Sequence, residues 1–166
     1  MGRWRPPPES SSPYITAEGA KTLKASLAGL WHLRRTDVVP ALTAAAAEGD
    51  RSENAEYIYR KKQLGEIDRK IRYLSQRLAV IKIVDSVPVN RKRVFFGAWV
   101  TVGDEQGEEQ EYRIVGADES DAGKRYISVD SPLARALLGK EIDNSVVVEL
   151  PGGAASFDLI GIRYEA

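Results

Sequence analysis

Four carboxylates fall within nine residues, Glu48, Asp50, Glu53 and Glu56, in the run Glu48-Gly49-Asp50-Arg51-Ser52-Glu53-Asn54-Ala55-Glu56. Oxygen donors of this kind suit a hard cation such as Mg²⁺, which is commonly held by one or two carboxylates plus phosphate. Asp50 and Glu53 lie three positions apart around the start of a helix, so they can point the same way. A second reading fits the same residues. Asp50 or Ser52 can cap that helix, and Glu53 and Glu56 favour the positive end of its dipole.

Just downstream, Arg60, Lys61, Lys62, Arg69, Lys70, Arg72 and Arg77 face only Glu66 and Asp68. A basic run of this kind is either the solvated face of a coiled coil or a track for RNA phosphates. An acidic tip followed by a basic shaft pairs groups for a metal with groups for a nucleic acid. Other chemistry is excluded by composition: there is no cysteine and a single histidine, His32, so thiolate nucleophiles, Cys-based zinc sites and multi-histidine schemes are absent. His32 beside Trp31 is read as a helix-surface or interhelical residue rather than a ligand, because no second imidazole exists to share a metal. No phosphate-binding glycine motif occurs.

The elements that must position the acids follow from periodicity. From the N-cap Thr16 to Ala47, Leu23, Leu27, Leu30, Trp31, Val38, Leu42 and Ala45 recur at helical spacing, which predicts one long helix. A second helix starts near Asn54, with Tyr57, Leu64, Ile67, Ile71, Leu74, Leu78 and Ile81 forming a heptad seam. The six residues Glu48 to Glu53 between them force the helices antiparallel, with Gly49 suited to the helix C-terminus. About thirty residues per helix at roughly 1.5 Å each give an arm about 45 Å long. Pro40 should bend the first helix, because it lacks an N–H for the Thr36 carbonyl and crowds that oxygen.

After Val84 the pattern changes to short β-rich runs: Val94 to Val102, Glu111 to Val115, Tyr126 to Val129, Val146 to Leu150 and Ser156 to Tyr164. Ser131-Pro132 opens a short helix, Leu133 to Leu138, and Gly152-Gly153 marks a hairpin turn. Phe95, Phe96 and Trp99 read as core of this sheet. The fold class is therefore α+β: a tail over 1–13, a coiled-coil hairpin over 14–84, and a mainly antiparallel sheet with one short helix over 85–166. Residues 1–84 carry 15 basic and 9 acidic side chains, and 85–166 carry 9 and 15, so the basic half is the one expected near phosphates. Neither a membrane-spanning run nor the apolar region of a signal peptide is found, and a cytoplasmic protein is expected.

The string Gly49-Asp50-Arg51-Ser52-Glu53-Asn54-Ala55-Glu56-Tyr57 resembles the tip motif of the Gre transcript-cleavage factors. Val94-Phe95-Phe96-Gly97-Ala98, Tyr112-Arg113-Ile114-Val115-Gly116 and the segment Ile127 to Leu138 are similar to the family's C-terminal domain, in the family's order. The Phe95-Phe96 pair, Trp99 and the basic second helix favour the GreB branch over the GreA branch. One departure is Thr36, where many members carry proline, with Pro40 four residues later.

The resemblance implies a coiled coil inserted through the secondary channel of bacterial RNA polymerase and an FKBP-like domain docked at the channel's rim. By position, Asp50 and Glu53 are the tip acids, with Ser52 as a helper. Asp130, Ser131 and Pro132 lie in the docking segment, and Arg60, Lys61, Lys62 and Arg69 face the nascent RNA. It implies a monomer in the active complex that stimulates the polymerase's own RNA cleavage, without being an enzyme itself. Mg²⁺ is then held mainly by the polymerase, with Asp50 and Glu53 sharing it only in the complex and no ion bound to the factor alone. Two rival readings remain: a channel-binding regulator without cleavage activity, and a peptidyl-prolyl isomerase acting through the C-terminal half.

Overall fold

The computed structural model describes residues 11–49 and 54–165. The chain divides into two compact units, one formed by Ala20–Val80 and the other by residues 11–19 together with 81–165.

The first unit is the helical hairpin. Helix α1 spans Ala17–Leu33, starting in the second unit and continuing into the first; a π-helical turn covers Arg34–Val38, α2 spans Val39–Ala46 and α3 spans Ala55–Val80. Cross-links run in opposite order along the two limbs, with Arg34 on Asp68, Asp37 on Arg60 and Ala45 on Asn54, so the limbs are antiparallel. The expected single first helix carries a π-helical turn just ahead of Pro40, with helical dihedrals kept at Leu33, Val38 and Val39. The Val39 N–H donates five residues back to the Arg34 carbonyl, and Pro40, which has no N–H to give, follows in the first turn of α2. Thr36 and Thr43 also donate to the carbonyls four residues back, His32 at 2.8 Å and Val39 at 2.9 Å, a bond that loosens a helix.

The hairpin's seam buries Val38, Ile67 and Ile71, flanked by Leu27, Leu30 and Leu64. His32 lies exposed on α1, and the Arg34 guanidinium sits 5.8 Å from the neighbouring Trp31 ring. Among the described residues, no helix is long and apolar enough to cross a membrane.

The second unit is built on two sheets. Strand β1, Tyr14–Ile15, pairs in parallel with β2, Lys82–Ile83. The larger sheet contains β3 (Trp99–Gly103), β4 (Glu109–Val115), β5 (Tyr126–Ser128), β6 (Ser145–Leu150) and β7 (Gly153–Arg163), in the order β5-β4-β3-β7-β6. Every neighbouring pair is antiparallel except β4 and β5. Inward positions alternate along the strands, as Val100/Val102 and Val146/Val148, and close on Ala134 and Leu137 of α4, Pro132–Leu137. Leu150 pairs with Gly153 across the expected hairpin turn.

The sequence places a strand over Val94 to Val102, but it begins only at Trp99. Gly97 has φ 88°, a left-handed conformation that ends extended structure, and Ala98 N–H closes a turn on the Phe95 carbonyl. That turn also overturns the placing of three aromatic residues in the core. Phe95 is 39% exposed, and Phe96 meets Tyr14 with ring centroids 6.2 Å apart. Trp99 lies between the Tyr126 ring at 5.8 Å and the Arg163 guanidinium at 4.5 Å. Val94, Ala98 and Val100 fill the core in their place.

Candidate functional site

Asp50, Ser52 and Glu53 lie outside the described residues. What is described is the frame on either side of them. α2 ends at Ala46 and α3 starts at Ala55, so the connection carrying the acids is closed by two helix ends. Asn54 joins those ends. Its Oδ1 accepts the Tyr57 N–H at 3.0 Å, capping α3, while its Nδ2 donates at 2.7 Å to the Ala45 carbonyl, which also accepts the Glu48 N–H at 3.2 Å at the end of α2. The cap expected at Asp50 or Ser52 is thus made by Asn54, because its side-chain amide supplies both an acceptor and a donor at the closing point. Gly49 has φ 118°, consistent with its place just past the helix end.

Asn54→Ala should lower stability by about 1–2 kcal/mol, the sum of a lost cap and a lost hydrogen bond. Asn54→Ser, which keeps an acceptor for Tyr57 but cannot reach Ala45, should fall between Ala and the unmodified protein in urea unfolding. Equal losses for the two variants would contradict the double role.

The basic residues of α3 separate into two groups. Lys61, Lys62, Arg69 and Arg72 are exposed, and at 3.6 residues per turn they share an arc of about 100° opposite the seam. The Lys61 ammonium also lies 5.9 Å from the Tyr57 ring. Arg60 belongs elsewhere. It lies seven residues before Ile67, so it falls on the seam, where it is 21% exposed and bonded to Glu56 at 2.8 Å, Gln63 at 3.0 Å and Asp37 at 3.4 Å. The Glu56 hydrogen bond, opposed by desolvation and aided by the charge of Asp37, holds its guanidinium more firmly protonated than usual. Arg77 is buried. The exposed members of the basic run are therefore Lys61, Lys62 and Arg69, with Arg72 beside them.

In the segment assigned to docking, Ser131 caps α4 by accepting the Ala134 N–H at 3.2 Å, and Pro132 occupies the first helical position, exposed. Asp130 is half-buried. The Ser12 N–H donates to its carboxylate at 2.8 Å and the Ser12 hydroxyl at 2.5 Å, tying residues of the expected N-terminal tail to this turn. Among the described residues, no three carboxylate or imidazole groups gather into a metal site.

Residues 13–83 match the family model described as transcription elongation factor, N-terminal, and residues 89–164 match transcription elongation factor, GreA/GreB, C-term. The chain is 58% identical over 165 residues to transcription elongation factor GreB of Xanthomonas axonopodis pv. citri (strain 306), covering 99% of this chain and 98% of the relative. It is 54% identical over 164 residues to transcription elongation factor GreB of Pseudomonas aeruginosa, with the same coverage of each. Among solved structures it is similar to the GreA factor homolog 1 (Gfh1) protein of Thermus thermophilus, with 21% identity, 90% and 97% of the two chains covered, and a TM-score of 0.41.

Proposed function

The chain belongs to the GreA/GreB family of transcription elongation factors, and we propose that it acts by inserting its helical hairpin into the secondary channel of bacterial RNA polymerase and stimulating cleavage of backtracked RNA. One observation carries this reading: an antiparallel helix pair, pinned by Asn54 on Ala45, presents as its connection the segment that contains Asp50 and Glu53. An autonomous nuclease needs an enclosing pocket, which a carboxylate pair in a short connection between two helices does not by itself supply, so this reading gives the chemistry to the polymerase and an assisting role to the hairpin.

Mg²⁺, when bound in the polymerase, supplies Lewis-acid stabilisation of the in-line displacement, and carboxylate oxygens are the donors it accepts. Asp50 offers one such oxygen. Glu53 orients the attacking water or takes its proton, with Ser52 available as a hydrogen-bonding helper. Lys61, Lys62 and Arg69 supply positive charge for the phosphates of the extruded RNA 3′ end. The test is addition of the protein to a purified backtracked elongation complex, where a 3′ RNA fragment should be released faster than in its absence.

Docking is assigned to the segment from Asp130 to Leu133, where a capped helix start and Pro132 give a fixed surface. Asp130→Ala should raise the factor concentration needed for half-maximal cleavage by about fivefold or more, with the full rate recovered at saturation. A defect that saturating protein does not restore would show that Asp130 does something other than dock.

A further inference from the structure

Glu119 ends a 3₁₀ turn, Ala117–Glu119, that the chemistry above leaves unused. Its carboxylate receives three donors: the Thr16 N–H at 3.0 Å, the Thr16 hydroxyl, and the Gly116 N–H at 2.8 Å. Thr16 precedes α1, and its hydroxyl oxygen accepts the Gly19 N–H at 3.0 Å, which makes it the N-cap of that helix. In a capping box the third helical residue is Glu or Gln, and its side chain reaches back to the N–H of the cap. Here that third residue is Gly19, and the acid that satisfies the Thr16 N–H comes from 103 positions downstream.

The two glycines fit this exchange. A Cβ at Gly19 would overlap the Glu119 side chain, so the glycine leaves room for the remote acid. A Cβ at Gly116 would overlap the Tyr14 carbonyl, so the 116–119 turn can approach the β1 backbone only without a side chain there. Residues 14–19 and 116–119 all belong to the second unit. A carboxylate at position 19 would satisfy the same cap locally but would join nothing. Taking it from position 119 binds the first turn of α1 to the turn that follows β4.

We infer that Glu119 is a positioning residue for transcript cleavage: it holds the root of α1, the helix leading to the acidic tip, on the unit that carries the docking segment. The inference rests on the cleavage reading proposed above. Three proteins test it: unmodified, Glu119→Ala, and Gly19→Glu combined with Glu119→Ala. The last relocates the carboxylate to an ordinary capping box, in space that removal of the Glu119 side chain opens.

Amide exchange reads the tether without polymerase. The Thr16 and Gly116 N–H groups should both exchange slowly in the unmodified protein and about tenfold or more faster in Glu119→Ala. In the double variant Thr16 should be slow again while Gly116 stays fast. In 3′-fragment release, both variants should lose about fivefold or more of the rate at saturating factor, with the half-saturating concentration within about twofold of unmodified. A shortage of folded protein would do the reverse, raising that concentration and vanishing at saturation. Full maximal rate in Glu119→Ala, or recovery in the double variant, overturns the inference, the second because a local cap would then suffice. Unchanged Gly116 exchange in Glu119→Ala removes the tether alone, whereas no fragment release by the unmodified protein removes the cleavage reading and the positioning role with it.

Discussion

Asp50→Asn and Glu53→Gln should each lower the stimulated cleavage rate by between about ten- and a thousandfold, while competition binding to polymerase stays at the unmodified level. Both changes remove charge and keep shape, so the hairpin should fold and enter the channel as before. The losses have different origins. Asp50 offers a metal ligand, and mass action can refill a weakened ion site, so raising Mg²⁺ should partly restore Asp50→Asn. Glu53 readies the water, a role that added ion does not replace, so Glu53→Gln should respond less. Thermal unfolding measured alongside should show no shift for either variant. Equal Mg²⁺ rescue of both would contradict the division of roles.

Replacing Lys61, Lys62 and Arg69 together with alanine should flatten the salt dependence of cleavage at subsaturating factor. Each phosphate contact on a single strand contributes roughly −0.7 to the slope of log affinity against log salt, so three contacts contribute about two units. Between 50 and 200 mM salt the unmodified protein should therefore lose about twentyfold more activity than the triple variant. Arg60→Ala is the internal control. Its guanidinium is committed to Glu56, Gln63 and Asp37 on the seam, so its loss should weaken the hairpin and leave the salt slope unchanged. A flattened slope in Arg60→Ala with an unchanged slope in the triple variant would reverse the assignment.

The helices were legible in the sequence because heptad spacing and helix caps are local signals, and the same heptads already place Arg60 in register with Ile67. Reading α3's basic residues as one face overlooked that register. Pro40 announced a bend in the first helix, but the form it takes, a π-helical turn over Arg34–Val38 ahead of the proline, is not specified by any local pattern. In the sheet, strand positions followed from β-branched runs. The failure at Val94 to Trp99 traces to Gly97, whose positive φ turns Phe95 and Phe96 out of the core.

What the sequence could not yield were partnerships between distant segments. The β1–β2 pair involves two residues on each side, too few for any periodicity to register. Ser12 on Asp130 and Thr16 on Glu119 join positions 118 and 103 apart, and no local pattern specifies either. A hint did exist for the second: Thr16 is a good N-cap followed by glycine where a capping box would place an acid, so the cap's own N–H needed a partner from elsewhere.

Whether Asp50 and Glu53 drive cleavage is decided by release of a 3′ RNA fragment from a purified backtracked elongation complex, with unmodified protein, Asp50→Asn and Glu53→Gln each added at concentrations that saturate polymerase binding. Release should be rapid with the unmodified protein and at least about tenfold slower with either variant, at equal occupancy of the polymerase. Fragment release at the unmodified rate by either variant, or activity lost only in proportion to lost binding, would contradict that role of the two acids.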